Sequence, residues 1–116
     1  MEIKKGDIFW TDLLDNIGSE PSGTRPVIVV QSNPFNESSI RTVIVVILTT
    51  NQNLSKAPGN FVLKSQATNL PKDSVVNVSQ IFTIDKSQLR DRVGQLKSSE
   101  IKKMEEGIKL VLGIVP

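Results

Sequence analysis

The chain has 116 residues, a formal net charge of +2, and neither cysteine nor histidine. Without cysteine there are no disulfides, thiolate metal sites or thiol nucleophiles; without histidine the usual acid–base group near neutral pH and the commonest metal ligand are gone. Any catalysis must use carboxylates, arginine, lysine or hydroxyls, and so slight a positive excess does not by itself argue for nucleic-acid binding.

Hydrophobic residues make up 38% and charged residues 22% of the chain, an ordinary globular composition. The start, Met1-Glu2-Ile3-Lys4-Lys5-Gly6-Asp7, lacks the apolar run of a signal peptide. No stretch reaches the roughly 18 apolar residues of a membrane span. These features predict a soluble, cytoplasmic protein folded as one domain over residues 1–116, with no membrane contact and no cofactor or metal site.

Gly6 to Leu13 (GDIFWTDL) reads as a first strand, and Trp10 within it as core or interface packing. Residues 14–25 form a loop in which Gly18 and Gly23 permit backbone angles closed to other residues. It carries Glu20 and ends on Arg25, which Pro26 pushes toward the extended region. Arg25 is thus expected at a stiff loop-to-strand junction. By residue type alone, Glu20 and Arg25 are either two solvated loop charges or a pair sharing one pocket.

Residues 26–31 (PVIVVQ) and 41–48 (RTVIVVIL) are β-branched on both faces, the pattern of strands covered on both sides. Between them, 32–39 reads as a polar loop. Thr49-Thr50-Asn51-Gln52-Asn53 follows the second strand, where a cluster of hydroxyls and amides is either a site mouth or a plain strand exit. Residues 54–60 continue as loop, 61–64 as a short strand, and 66–72 as a connection. Residues 74–78 form a strand that 79–85 extends, and 86–92 is expected as a charged helical turn. The C-terminal segment is a clear helix capped by Ser98 or Ser99. Its stripe of Ile101, Met104, Ile108, Val111, Leu112 and Val115 is expected to pack on the sheet. Gly107 interrupts the stripe and would allow a close approach. The pattern predicts a mostly-β α+β domain, a small curled barrel closed by a terminal helix.

Three segments taken together resemble the MazF/PemK family of toxin endoribonucleases. They are GDIFWTDL at Gly6–Leu13, GSEPSGTRPV at Gly18–Val27, and Asp73-Ser74-Val75 with QIFTIDK at Gln80–Lys86. The resemblance implies an SH3-like barrel of the CcdB/MazF type that acts as a homodimer and cuts single-stranded RNA sequence-selectively. It also implies a cognate antitoxin. The family's catalytic arginine and threonine fall on Arg25 and Thr49, and an acidic residue important in some members falls on Glu20. Gln80 and Ser74 match RNA-contacting positions, as do Asn51 and Lys86. Ser79 departs from the acid that many members carry before the glutamine.

Such chemistry suits a chain without histidine, because RNA supplies its own nucleophile, the 2′-hydroxyl. The protein has only to align it and stabilise charge on the phosphoryl oxygens, which a guanidinium and a hydroxyl can do without metal. Two other readings compete. One is a non-enzymatic poison of DNA gyrase like the related CcdB-type toxins, which needs neither Arg25 nor Thr49. The other is a small-barrel RNA-binding module, which four phenylalanines and one tryptophan support poorly.

Overall fold

The computed structural model describes residues 2–13 and 23–114. Glu20, with the rest of the loop from 14 to 22, lies outside the described residues, as does Val115. Six strands are seen: β1 (Asp7–Leu13), β2 (Gly23–Val29), β3 (Thr42–Thr49), β4 (Phe61–Leu63), β5 (Ser74–Asp85) and β6 (Leu89–Gln95). They form one antiparallel sheet in the order β4-β5-β3-β2-β1-β6, curled into a half-barrel. Among the described residues three α-helices accompany it: α1 (Asn33–Glu37), α2 (Ser65–Thr68) and the long α3 (Ser98–Leu112).

The β-branched runs behave as their sequence predicts. Ile28, Val46 and Leu48 point into one cluster, with Met104 of α3 at its centre. Their alternates Val27, Val29, Val45 and Ile47 point into a second cluster with Phe9 and Ile84. Both faces are therefore buried over residues 27–29 and 45–48, which leaves no place there for a polar side chain. Asp7 is fully buried yet satisfied: it accepts from Lys4 N and the Gln95 side chain, and Arg92 Nη1 lies 3.6 Å away. The Gly-Asp start thus ties β1 to β6.

The structure corrects several sequence expectations. β2 begins at Gly23, so Arg25 lies inside a strand, opposite Thr11 of β1, rather than at a loop junction. Residues 33–37, expected as loop, form the short helix α1 started by Pro34. The expected helical turn at 86–92 is only a 3-10 turn over Lys86–Gln88, after which β6 pairs with β1. Charged residues there are tolerated because β6 is an edge strand with one side in solvent. Neither Ser98 nor Ser99 caps α3. Lys97 holds the cap position, and the Glu100 carboxylate accepts from its N–H at 2.8 Å. The helical stripe is only half buried: Met104 is covered, whereas Val111 and Leu112 are exposed.

At Gly107, α3 approaches the backbone of Gly59 and the side chain of Val78 closely. A Cβ there would lie 2.5 Å from the Gly59 carbonyl oxygen and 3.0 Å from Val78 Cγ1. Alanine ordinarily favours a helix over glycine by about 1 kcal/mol, but this neighbour is backbone and cannot swing aside. Gly107→Ala is expected to destabilise the protein by about 1–3 kcal/mol in chemical denaturation; a stabilised variant would contradict the close approach.

Asp73 fixes the start of α2, accepting from Ser65 N at 2.9 Å with Lys64 Nζ at 3.4 Å. The Ser65 bond, then Lys64, holds its carboxyl below the ordinary 3.8. A depressed carboxylate contributes stability above its unfolded value and loses it as pH falls through the lower folded value. The stability gap between wild type and Asp73→Ala is therefore expected to be constant above about pH 5 and to close as pH drops below 3.8. Urea melts across that range check this, and a pH-independent gap would contradict it.

Candidate nucleic-acid interface

The site grows out of the place where β2 and β3 part. Their pairing runs from Val29↔Val45 to Val27↔Ile47 and stops there. The next residue back is Pro26, which has no N–H to give a ladder. Two residues beyond the last pair, the same register carries Arg25 on β2 and Thr49 on β3, both on the face of Val27 and Ile47. Where the ladder ends, two adjoining hollows open, and Arg25 and Thr49 line both.

The first hollow, of about 300 Å³, has Trp10, Pro26, Leu70 and Pro71 as apolar walls and Thr24, Lys72 and Ser74 as polar ones. Thr24 is held by its hydroxyl, which donates to Asp12 Oδ1 at 3.0 Å. Asp12 also pairs with Arg90 of β6. These two partners, Thr24 first, keep the Asp12 carboxyl below its ordinary value. Trp10 serves two ends, half-buried against the α3-side cluster while its remaining surface walls the hollow.

The second hollow, of about 370 Å³, lies on the β5 side of the Arg25–Thr49 row, with Leu54, Ala57, Asn77, Ser79 and Gln80 around it. A break in the β3–β5 ladder makes room for it. Val46 pairs with Ile81, but Ile47 pairs with Asn77, so Val78, Ser79 and Gln80 have no place in that register. The bulge is clamped from outside the sheet by Asn60, whose Oδ1 accepts from Val78 N at 3.0 Å and whose Nδ2 donates to Leu54 O at 2.9 Å. An extra stretch in one strand bends it and re-aims its side chains, here bringing Gln80 to the hollow.

The residues singled out by sequence divide accordingly. Arg25, Thr49, Ser74 and Gln80 line the two hollows. Asn51 does not; its N–H donates to Thr49 Oγ1 at 3.2 Å, and its side chain caps the 3-10 turn at Gln52–Lys56 by accepting from Asn53 N. Lys86 stands at the far end of β5, where its Nζ donates to the carbonyls of Asn36 and Ser38. Glu20 lies outside the described residues. Thr50, within the polar exit of β3 that the sequence marks, lines the first hollow. Sequence reasoning missed Lys72 and Asn77; nothing in their spacing marks them, because the 64–73 connection and the β5 bulge bring them in. Among the described residues no cluster of acidic side chains could hold a metal ion, and no helix is long and apolar enough to cross a membrane.

The family described as "PemK-like, MazF-like toxin of type II toxin-antitoxin system" matches residues 4–112. Over 114 residues the chain is 43% identical to Endoribonuclease MazF2 of Mycobacterium bovis, covering 98% of this chain and 100% of that one. The same figures hold for Endoribonuclease MazF6 of Mycobacterium tuberculosis. Among solved structures, a mycobacterial endoribonuclease in complex with its cognate antitoxin superposes with a TM-score of 0.80 at 23% identity, covering 98% of both chains. MazF from Deinococcus radiodurans gives 0.80 at 16% identity, over 97% of this chain and 98% of that one. At such identities these structures speak for the fold, while the family match and the mycobacterial sequences speak for descent. The chain belongs to the PemK/MazF family of toxins of type II toxin–antitoxin systems.

Proposed function

We propose that this chain is a sequence-selective endoribonuclease toxin that cuts single-stranded RNA without a metal ion, acts as a homodimer and is neutralised by a cognate antitoxin. The observation that carries this reading is the Arg25–Thr49 row, one cation and one hydroxyl lining the same two hollows at the end of the β2–β3 ladder. Relatives named as endoribonucleases along their whole length favour it over a gyrase poison, and a structural relative solved with its cognate antitoxin supports the partner.

In the reaction, the RNA 2′-oxygen loses its proton to Glu20 or to water and attacks the adjacent phosphorus, and the P–O5′ bond breaks as O5′ takes a proton from water. The products are a 2′,3′-cyclic phosphate (or, on hydrolysis, a 3′-phosphate) and a 5′-hydroxyl. Arg25 offers paired N–H donors to the non-bridging oxygens and stays charged throughout. Thr49 Oγ1 already accepts from Asn51 N–H, which leaves its hydrogen to donate to the same phosphate, so Asn51 acts as a positioning residue. Glu20 takes the 2′-proton or orients Arg25. Gln80 and Ser74 contact nucleotides on either side of the cut, and Lys86 reaches RNA that continues along β5.

The homodimer has a surface suited to it. Val30, Ile44, Ile81, Ile108 and Leu112, with Glu105 and Lys109, line a mostly apolar groove, and Val111 and Ile114 are also exposed near the end of α3. An apolar patch of this kind is unusual on a monomer, and isologous pairing is the commonest way to cover one. Leu112→Glu is expected to shift the protein to monomer in sedimentation; an unchanged dimer would place the contact elsewhere.

Cleavage of a long single-stranded RNA in EDTA tests the activity. Wild type is expected to give discrete fragments with 5′-hydroxyl ends, and Arg25→Ala or Thr49→Ala to slow the reaction by about 10²- to 10³-fold each. Folded wild type that leaves RNA intact in EDTA, or cuts only with added Mg²⁺, would overturn the reading.

A further inference from the structure

Asn77 is 8% exposed, a polar side chain set between the buried Val75, Val76 and Val78 of β5. Its amide orientation follows from its neighbours. Asn60 is fixed by two backbone groups, accepting from Val78 N and donating to Leu54 O. The Asn60 group that meets Asn77 is therefore its NH₂, which donates to Asn77 Oδ1 at 3.3 Å. Ser79 Oγ donates to the same oxygen at 3.0 Å. With Oδ1 occupied twice, the other end of Asn77 is the NH₂, and it has no hydrogen-bond partner among the described residues.

No fully enclosed side-chain nitrogen or oxygen among the described residues lacks a partner. The Asn77 NH₂ therefore reaches accessible space, and the space at Asn77 is the hollow beside Arg25, Thr49 and Gln80. The remaining lining is Ile47, Leu48, Leu54, Ala57 and Ser79. With Arg25 and Thr49 assigned to the phosphate, the apolar part of this lining and the neutral, pre-oriented amide of Asn77 suit a planar base.

We propose that Asn77 is a specificity-determining residue: its NH₂ donates to a hydrogen-bond acceptor on the RNA base seated in this hollow, next to the cleaved phosphodiester. The assignment rests on the endoribonuclease reading. Because Asn60 and Ser79 hold the amide in place before RNA arrives, a base lacking that acceptor leaves the donor buried and unpaired, which is the strong form of discrimination.

The test uses full-length wild type, Asn77→Asp and Asn77→Leu on a single-stranded RNA pool randomised around the cut, with fragment ends sequenced. Asn77→Asp keeps the side-chain shape and the oxygen that Asn60 and Ser79 bond, but turns the free donor into an acceptor. Asn77→Leu removes the donor without adding charge. Both are expected to lose about tenfold in base preference at one position beside the cut and none elsewhere, with Asn77→Asp moving toward a base that presents an amino group there. Wild type on RNAs whose bases each lack one carbonyl or ring-nitrogen acceptor is expected to lose about tenfold in kcat/KM at that same position, a result that does not depend on either variant folding. Folded variants with unchanged preference at every position, or analogues without effect at any position, would overturn the assignment while the nuclease reading stands. Wild type that cuts none of the pool would overturn both.

Discussion

The site depends on a ladder that stops. β2 and β3 are the centre of the sheet, buried on both faces, and their hydrogen bonding would naturally continue to the strand ends. Pro26 cannot donate, and the pairing ends beside it at Val27↔Ile47. Arg25 and Thr49 are carried by rigid, buried strands but lie just beyond the point where those strands bond each other. Side chains at such a mouth inherit the positional accuracy of the core while facing open space, the combination that charge stabilisation in a transition state requires.

A second interruption, on β5, does the complementary job. Its register shift releases Val78, Ser79 and Gln80 from β3, and Asn60 replaces the lost strand partner with a side chain. On the proposed reading the first break opens space for the phosphate and the second furnishes walls for a base, with Arg25 and Thr49 lining both hollows.

Much of this was legible in the sequence, for physical reasons that differ by element. Continuous β-branched runs mark strands covered on both faces, so the centres of β2 and β3 were readable; three- and four-residue spacing made α3 readable as a helix, and Gly107 as a point of close approach. The Thr49-Thr50 exit of β3 was readable because clustered turn residues mark a strand end, whereas Arg25 was set at a loop junction because nothing before Pro26 marks a strand that in fact begins at Gly23. β6 was hidden because an edge strand facing solvent has the composition of a loop or turn. The exposed end of α3 was misjudged because periodicity reports a face and not what lies against it. Asn77 and Lys72 were invisible since their place in the site depends on a bulge and a connection that no local pattern encodes.

The most direct test of the account is a double-mutant cycle on single-turnover RNA cleavage with Arg25→Ala, Thr49→Ala and the double variant. If the two side chains act on one phosphate from either side of the open ladder, the double variant should lose far less than the product of the two single losses. Losses that multiply would mean that the two residues act independently, and would contradict a joint site at the end of the β2–β3 ladder.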